Sequence, residues 1–185
     1  MSAILLQVLP HIAAALLYAV LGVHFWHTRW RESNHGLITR PMQPWERLSI
    51  FFALTVQGLG LYQGLFGAGG MRFSFSFALS LMLWLAVLIY WLESFRSRMD
   101  GLQPMVLPIA ALCALAPAIF PQLREVAHAG AWGFQLHFLT AMLAYSLFTL
   151  SALHAVFMGF AERKLHRRAV SKSLASLPPI LTMEA

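Results

Sequence analysis

The stretch Trp132–Phe160, WGFQLHFLTAMLAYSLFTLSALHAVFMGF, decides the fold class of this chain. Its 29 residues include no Asp, Glu, Lys or Arg, and a helix of about 20 predominantly apolar residues is long enough to cross a bilayer. The stretch therefore predicts a membrane-spanning helix. Because it is longer than one crossing requires, we expect it to project from the membrane as helix before the basic residues that follow it.

Four other apolar runs precede this stretch: Ile4–Trp26, Leu48–Phe66, Phe73–Leu92 and Met105–Phe120. The second run is rich in glycine (Gly58, Gly60 and Gly64), which predicts close contact with a neighbouring helix. The last run is short and contains Pro108 and Pro117, so we expect it to be tilted, kinked or partly interfacial. Together the runs predict an all-α, polytopic transmembrane bundle of about five spanning helices.

The composition supports a membrane protein and argues against a soluble enzyme. Hydrophobic residues make up 59% of the chain and charged residues 11%, with a mean hydropathy of +0.67. Soluble domains contain roughly 45–50% apolar and about 25% charged residues. The net charge is +6, but the basic residues lie between apolar runs, where they face lipid headgroups. We therefore expect the lipid bilayer as a partner and no nucleic acid. The lone Cys113 excludes an intrachain disulfide.

The distribution of lysine and arginine predicts the orientation in the membrane. Four arginines separate the first two runs and two separate the third from the fourth, whereas the other two loops contain one arginine each. Five more basic residues follow the fifth run. Since positively charged loops stay in the cytosol, the N-terminus should lie outside and the C-terminus in the cytosol. We assign residues 1–162 to the bundle and residues 163–185 to a basic cytosolic segment. The ending Ser176–Ala185, SLPPILTMEA, resembles the lead-in to a further helix, so we expect an N-terminal portion of a longer protein.

Among eight histidines, those within the apolar runs are candidate ligands, because an ionisable group at membrane depth is costly and usually functional. At about 1.5 Å per residue, His137 and His11 lie about 8 Å and about 10 Å below the outer ends of their helices. His154 lies about 25 Å further along its helix than His137, so these two cannot share one metal. His11 and His137 could form a pair if the first and fifth helices are neighbours, and His128 is another possible partner. Alternatively, His137 is simply hydrogen-bonded to a carbonyl group or to Tyr145.

The sequence offers no arrangement that is typical of an enzyme active site. It contains no recognisable Ser/His/Asp set, no glycine-rich phosphate loop and no HxxxH arrangement on one helix. The apolar runs contain no acidic residue, and Glu93 and Glu162 lie just beyond two of them. Since proton-driven carriers usually have a carboxylate within the membrane, we predict neither an enzyme nor a carboxylate-coupled transporter.

The fifth run also resembles a segment of the cytochrome c assembly family in which a histidine is followed eight residues later by a tyrosine. In this chain those residues are His137 and Tyr145. The stretches LSLMLWLAVLIYWLESF, GLQPMVLP, ERKLHRR and SLPPILTMEA resemble the HemX-like inner-membrane branch of that family. The resemblance extends from about Arg47 onward. It departs from the family in lacking the tryptophan-rich WWD segment and in having Gln57 where relatives usually have a histidine.

The resemblance implies a multi-pass protein of the bacterial inner membrane that works with other proteins of cytochrome c assembly. Members of the family pass haem across the membrane or present it for attachment to apocytochrome c. The resemblance implies that His137 is an axial ligand to haem iron, with His11 or His128 as the second ligand to test and Tyr145 nearby. Two alternatives stay open: a non-haem membrane scaffold or permease-like accessory subunit, and a small b-type cytochrome.

Overall fold

The computed structural model describes residues 2–31, 42–66, 72–96, 101–121, 124–125 and 131–175, and within these ranges it is almost entirely helical. The helices are α1 (Ser2–Phe25), which continues as a π-helical segment (Trp26–Arg31), α2 (Pro44–Phe66), α3 (Phe75–Glu93), α4 (Gln103–Ile119) and α5 (Trp132–Ala175). Two short strands, β1 (Arg72–Phe73) and β2 (Arg124–Glu125), pair antiparallel between the helices. The prediction of an all-α bundle is confirmed.

Each of the five apolar runs forms a helix. Four segments are long and apolar enough to cross a membrane: Val8–Trp30, Pro44–Phe66, Phe75–Glu93 and Trp132–Arg163. The fifth, α4, has 17 residues and so measures about 26 Å at 1.5 Å per residue, slightly less than the ~30 Å hydrocarbon core. The chain is therefore a helical membrane protein by the length and composition of its helices.

The short helix α4 is one of the helices that form the core of the bundle. Its side chains Val106, Leu107, Ala110 and Ala114 are fully buried, and the helix packs against both α1 and α3. Pro108 does not interrupt the helix. The short apolar run with two prolines therefore contributes to the core, and its alanines allow neighbouring helices to approach closely.

The packing order places α5 at the periphery. Helix α1 packs on α4 and α2, and α3 in turn packs on α4 and α2. Helix α5 packs mainly on α3, with a smaller contact to α4. Four helices thus form the core, and α5 lies against one side of it. Only one face of α5 is covered by the described residues.

The glycines of α2 allow the close helix contacts that the sequence predicted. A Cβ atom added at Gly60 would lie 2.9 Å from Cβ of Pro10 and 3.2 Å from Cε1 of His11, both on α1. One added at Gly64 would overlap the ring of Phe77 on α3. Since carbon atoms prefer separations of about 3.5–4.0 Å, only glycine allows α1 and α3 to pack this closely on α2 at these levels.

Helix α5 extends well beyond one membrane crossing, as predicted. It has 44 residues and is therefore about 66 Å long. No proline occurs between Trp132 and Ala175, so nothing in its backbone chemistry interrupts the helix. The helix continues through residues 162 and 163, where we divided the bundle from the basic segment, and the ending at residues 176–185 lies outside the described residues.

Candidate functional site

The helix that carries the candidate ligand has the most exposed apolar surface in the bundle. Of the most apolar window in Trp132–Arg163, only 6% is buried, compared with 39–50% in the other three long segments. Phe148 is 72% exposed and Trp132 is 76% exposed. Phe138 and Ser146 are buried against the bundle, and the Ser146 hydroxyl lies 2.8 Å from the carbonyl oxygen of Met82 on α3 and 2.6 Å from that of Met142 on its own helix.

His137 lies on the uncovered side of this helix. It is exposed, whereas the next residue, Phe138, is 7% exposed and packs edge-on against Phe73 with ring centroids 5.7 Å apart. Consecutive residues are separated by about 100° around an α-helix, so the contact of Phe138 with the bundle directs His137 away from the centre of that contact. Tyr145, two turns further on, is 57% exposed. Both residues are therefore accessible from the outside of the bundle.

His11, in contrast, is enclosed where α1, α2 and α3 meet. It is 2% exposed, and its ring packs edge-on against Phe77 at a centroid distance of 5.4 Å. The backbone of Gly60 lies on another side of the imidazole. Within the described residues Nδ1 of His11 has no hydrogen-bond partner. Tight packing against a phenylalanine ring and a helix backbone leaves no room for a flat macrocycle.

The structure does not bring His11 and His137 together. The predicted pairing required the first and fifth helices to be neighbours, but α1 packs on α4 and α2 while α5 packs mainly on α3. Among the residues that the structure describes, no three His, Cys, Asp or Glu side chains are grouped so that they could hold a metal ion. His128, the other proposed second ligand, lies outside the described residues.

A small apolar cavity lies between α2, α3 and α5. Its volume is about 140 Å³, and its lining includes Gly58, Leu61, Trp84 and Phe138. Sites for small molecules and cofactors usually measure about 300–1,000 Å³, so this cavity is too small for a porphyrin, and His137 is not part of its lining. Within the described residues, His137 is thus an accessible imidazole that does not line this cavity.

The side chain of Gln57 forms hydrogen bonds inside the helix bundle, and these have a structural role. This residue, which stands where the resembling proteins usually have a histidine, is fully buried. Its Nε2 donates to the hydroxyl and the carbonyl oxygens of Ser80 at 3.0 and 3.3 Å. Because a side-chain hydrogen bond across an apolar interface fixes the register of two helices, Gln57 joins α2 to α3.

The sequence interpretation missed a buried carboxylate, Glu46, which lies two residues before the apolar run of α2. It is 5% exposed and lies 3.0 Å from Nε2 of His24 and 3.2 Å from a guanidinium nitrogen of Arg29. Its other contact is the backbone N–H of Gln43, which donates to it at 2.7 Å. The Glu46 carboxylate thus caps the start of α2, but Gln43 stands where the usual capping box has Ser or Thr, and the spacing does not indicate burial.

The chain matches no protein-family model, no curated protein and no solved structure. The resemblance to cytochrome c assembly proteins consequently rests on the residues quoted from α3, α4 and α5 and from the segment that follows α5. What the structure adds is the position in the bundle of the quoted residues in α3, α4 and α5.

Proposed function

We propose that this chain is a bacterial inner-membrane protein of the cytochrome c assembly type. We further propose that it binds or handles haem at the uncovered side of α5 rather than inside its own helix bundle. The observation that carries this proposal is the exposed position of His137 on a long apolar helix that is covered on one side only. The pattern of His137 followed by Tyr145 supports the same family.

An exposed histidine on this helix needs a partner other than lipid. Ionisable side chains within the hydrocarbon region are costly, and they almost always face protein or water. A neutral imidazole nitrogen is also a common axial ligand to haem iron. His137 is therefore suited to bind a haem that lies against the uncovered side of α5. The other residues around that haem and the second iron ligand would come from a partner protein or from residues outside the described part of the chain.

The proposed role is not catalytic. The residues assigned to it bind and orient: Phe138 and Ser146 fix α5 against α3, and this attachment keeps His137 accessible from outside the bundle. Other membrane proteins of cytochrome c assembly are the proposed partners, since the uncovered face of α5 offers the surface for another helix.

A second candidate function, a non-haem membrane scaffold or accessory subunit, is favoured by the cavity size. The cavity of about 140 Å³ is below the range of cofactor sites, whereas the uncovered apolar face of α5 suits association with another membrane helix. In this case His137 would form a hydrogen bond across a helix–helix contact and would bind no iron.

The optical spectrum of the detergent-purified protein from haem-replete cells separates these two functions. We expect a Soret band that is weakened by His137→Ala, because the substitution removes the bond from imidazole to iron. His154→Ala is the matched control, since His154 is also exposed on α5 but lies about 25 Å further along the helix.

A colourless wild-type protein would contradict the haem proposal and favour the scaffold. A Soret band that both histidine variants weaken equally would contradict the assignment of His137, since the two positions cannot ligate the same iron.

A further inference from the structure

At the predicted cytosolic end of the bundle, α1 ends and α2 begins. Here α1 changes from α-helical to π-helical hydrogen bonding over Trp26–Arg31. Such segments are rare, and they occur frequently at functional sites. This one is independent of His137 and goes beyond the proposed function.

The π-helical register determines which side chains meet Glu46. In an α-helix, residues five apart lie about 140° apart around the axis. The segment Trp26–Arg31 instead has the wider π-helical turn, in which backbone hydrogen bonds join residues five apart, and this reduces the angle between His24, which lies two residues before the segment, and Arg29, which lies within it. The structure accordingly brings His24 and Arg29 to the same carboxylate, one on each oxygen, at 3.0 and 3.2 Å.

The cluster of His24, Arg29 and Glu46 is largely buried, so its charges have a large effect on the stability of this end of the bundle. The side chains of Arg29 and Glu46 are each 6% exposed, and that of His24 is 31% exposed. A buried ionised group is strongly destabilising when its partner is removed. The charge on Glu46 therefore favours the register in which Arg29 reaches it.

The same register positions Trp30 against two other helices. Its indole N–H donates to the carbonyl oxygen of Gly101, just before α4, at 3.3 Å. Its ring stacks on Phe157 of α5 with a centroid distance of 6.4 Å and an interplanar angle of 25°, and Phe157 in turn packs against Gly101. A return to α-helical register would rotate Trp30 as well as Arg29, so the contacts to α2, α4 and α5 depend on one segment.

We propose that the π-helical segment Trp26–Arg31 is a conformational clamp with two registers, in which negative charge on Glu46 selects the π-helical register and so keeps this end of the bundle closed. Loss of that charge favours the α-helical register, withdraws Trp30 from Gly101 and Phe157, and opens the adjoining core to water.

The test measures access to Leu102, which is 3% exposed and lies next to Gly101. We would introduce Leu102→Cys in a Cys113→Ala background and compare maleimide labelling rates, in liposomes, with and without Glu46→Gln. Glutamine at this position still accepts a hydrogen bond from the N–H of Gln43, so the substitution removes the charge and keeps the helix cap. We expect labelling to accelerate by about tenfold or more, as for a lowered free energy of local opening.

Two controls separate opening of the clamp from general loosening. Glu162→Gln removes one negative charge from an exposed site on α5, and it should leave the labelling rate of Leu102→Cys unchanged. Native Cys113, further along α4, should label at the same rate in the wild-type protein and in Glu46→Gln. Should Glu46→Gln fail to fold, Arg29→Gln removes the opposite partner and is expected to give the same acceleration.

Equal labelling rates of Leu102→Cys in the presence and in the absence of the Glu46→Gln substitution would overturn the proposal. So would acceleration by Glu162→Gln, or a parallel increase at Cys113, because either result would indicate that loss of any charge loosens the bundle.

Discussion

Gly60→Ala tests the closest contact between α1 and α2. The added Cβ would lie 2.9 Å from Cβ of Pro10 and 3.2 Å from Cε1 of His11. The proline ring is rigid and attached to the α1 backbone, so it cannot rotate away. We expect α1 to move away from α2 by several tenths of an ångström to restore ordinary carbon–carbon separations of about 3.5–4.0 Å.

Two opposing terms determine the size of this effect. Overpacking of a core costs about 1–3 kcal/mol. Replacing glycine by alanine within a helix gains about 0.8–1.0 kcal/mol. The net expectation for Gly60→Ala is thus a loss of about 0–2 kcal/mol in the free energy of unfolding, with the steric term dominant because the contacted atoms belong to a proline and a buried histidine.

Gly159→Ala is the matched control, because a Cβ at Gly159 would have no atom within 4 Å. Here only the gain in helix propensity applies, so this variant should be as stable as the wild type or more stable. The two variants should differ by roughly 2 kcal/mol, which corresponds to about 4–8 °C in the midpoint of thermal unfolding for a chain of this size. The midpoint is measured by circular dichroism in detergent.

Equal midpoints for Gly60→Ala and Gly159→Ala would contradict the expected steric conflict between Gly60→Ala and Pro10. Such a result would show that α1 and α2 are not in contact at Gly60, and with that contact the enclosure of His11 would also be lost.

Two further predictions concern the α2–α3 interface and the orientation of the chain. Trp84→Phe removes the indole N–H that donates to the carbonyl oxygen of Leu54 at 2.7 Å. We expect the free energy of unfolding to fall by about 1 kcal/mol, which lowers the midpoint of thermal unfolding by about 2–4 °C. An unchanged midpoint would show that this hydrogen bond does not stabilise the protein. A reporter enzyme fused after Arg168 should be cytosolic and one fused near Glu125 external, and the reverse result would overturn the predicted topology.

The candidate site shows where sequence reasoning reaches its limit. The sequence indicated that histidines in apolar helices are unusual, and it selected His137 and His11 together. The structure separates them: His11 is enclosed beside Phe77 and Gly60, and His137 is exposed on α5. The apolar pattern of the sequence does not reveal which helices become neighbours, because helix packing depends on the complementary shapes of whole helix faces.

The burial of Glu46 also could not be predicted from the sequence. In the sequence it is one acidic residue in a polar loop, and exposure to water is the ordinary expectation for it. Its burial follows from the π-helical turn that carries Arg29 to it and from the position of His24 on α1. A local change of helical register, which the apolar periodicity does not reveal, brings the three side chains together.

The amino-acid sequence by itself determined that the chain is helical and suited to a membrane, because the number of consecutive apolar residues decides whether a helix can span the hydrocarbon core. It also predicted that the glycines of α2 allow close contact with a neighbouring helix, because only glycine lacks a Cβ. Tertiary structure alone decided that the short helix α4 is one of the four core helices, that α5 lies against one side of them, and that His137 is exposed. These outcomes depend on which faces of the five helices pack against one another. That packing is a property of the assembled bundle and cannot be read from any one helix.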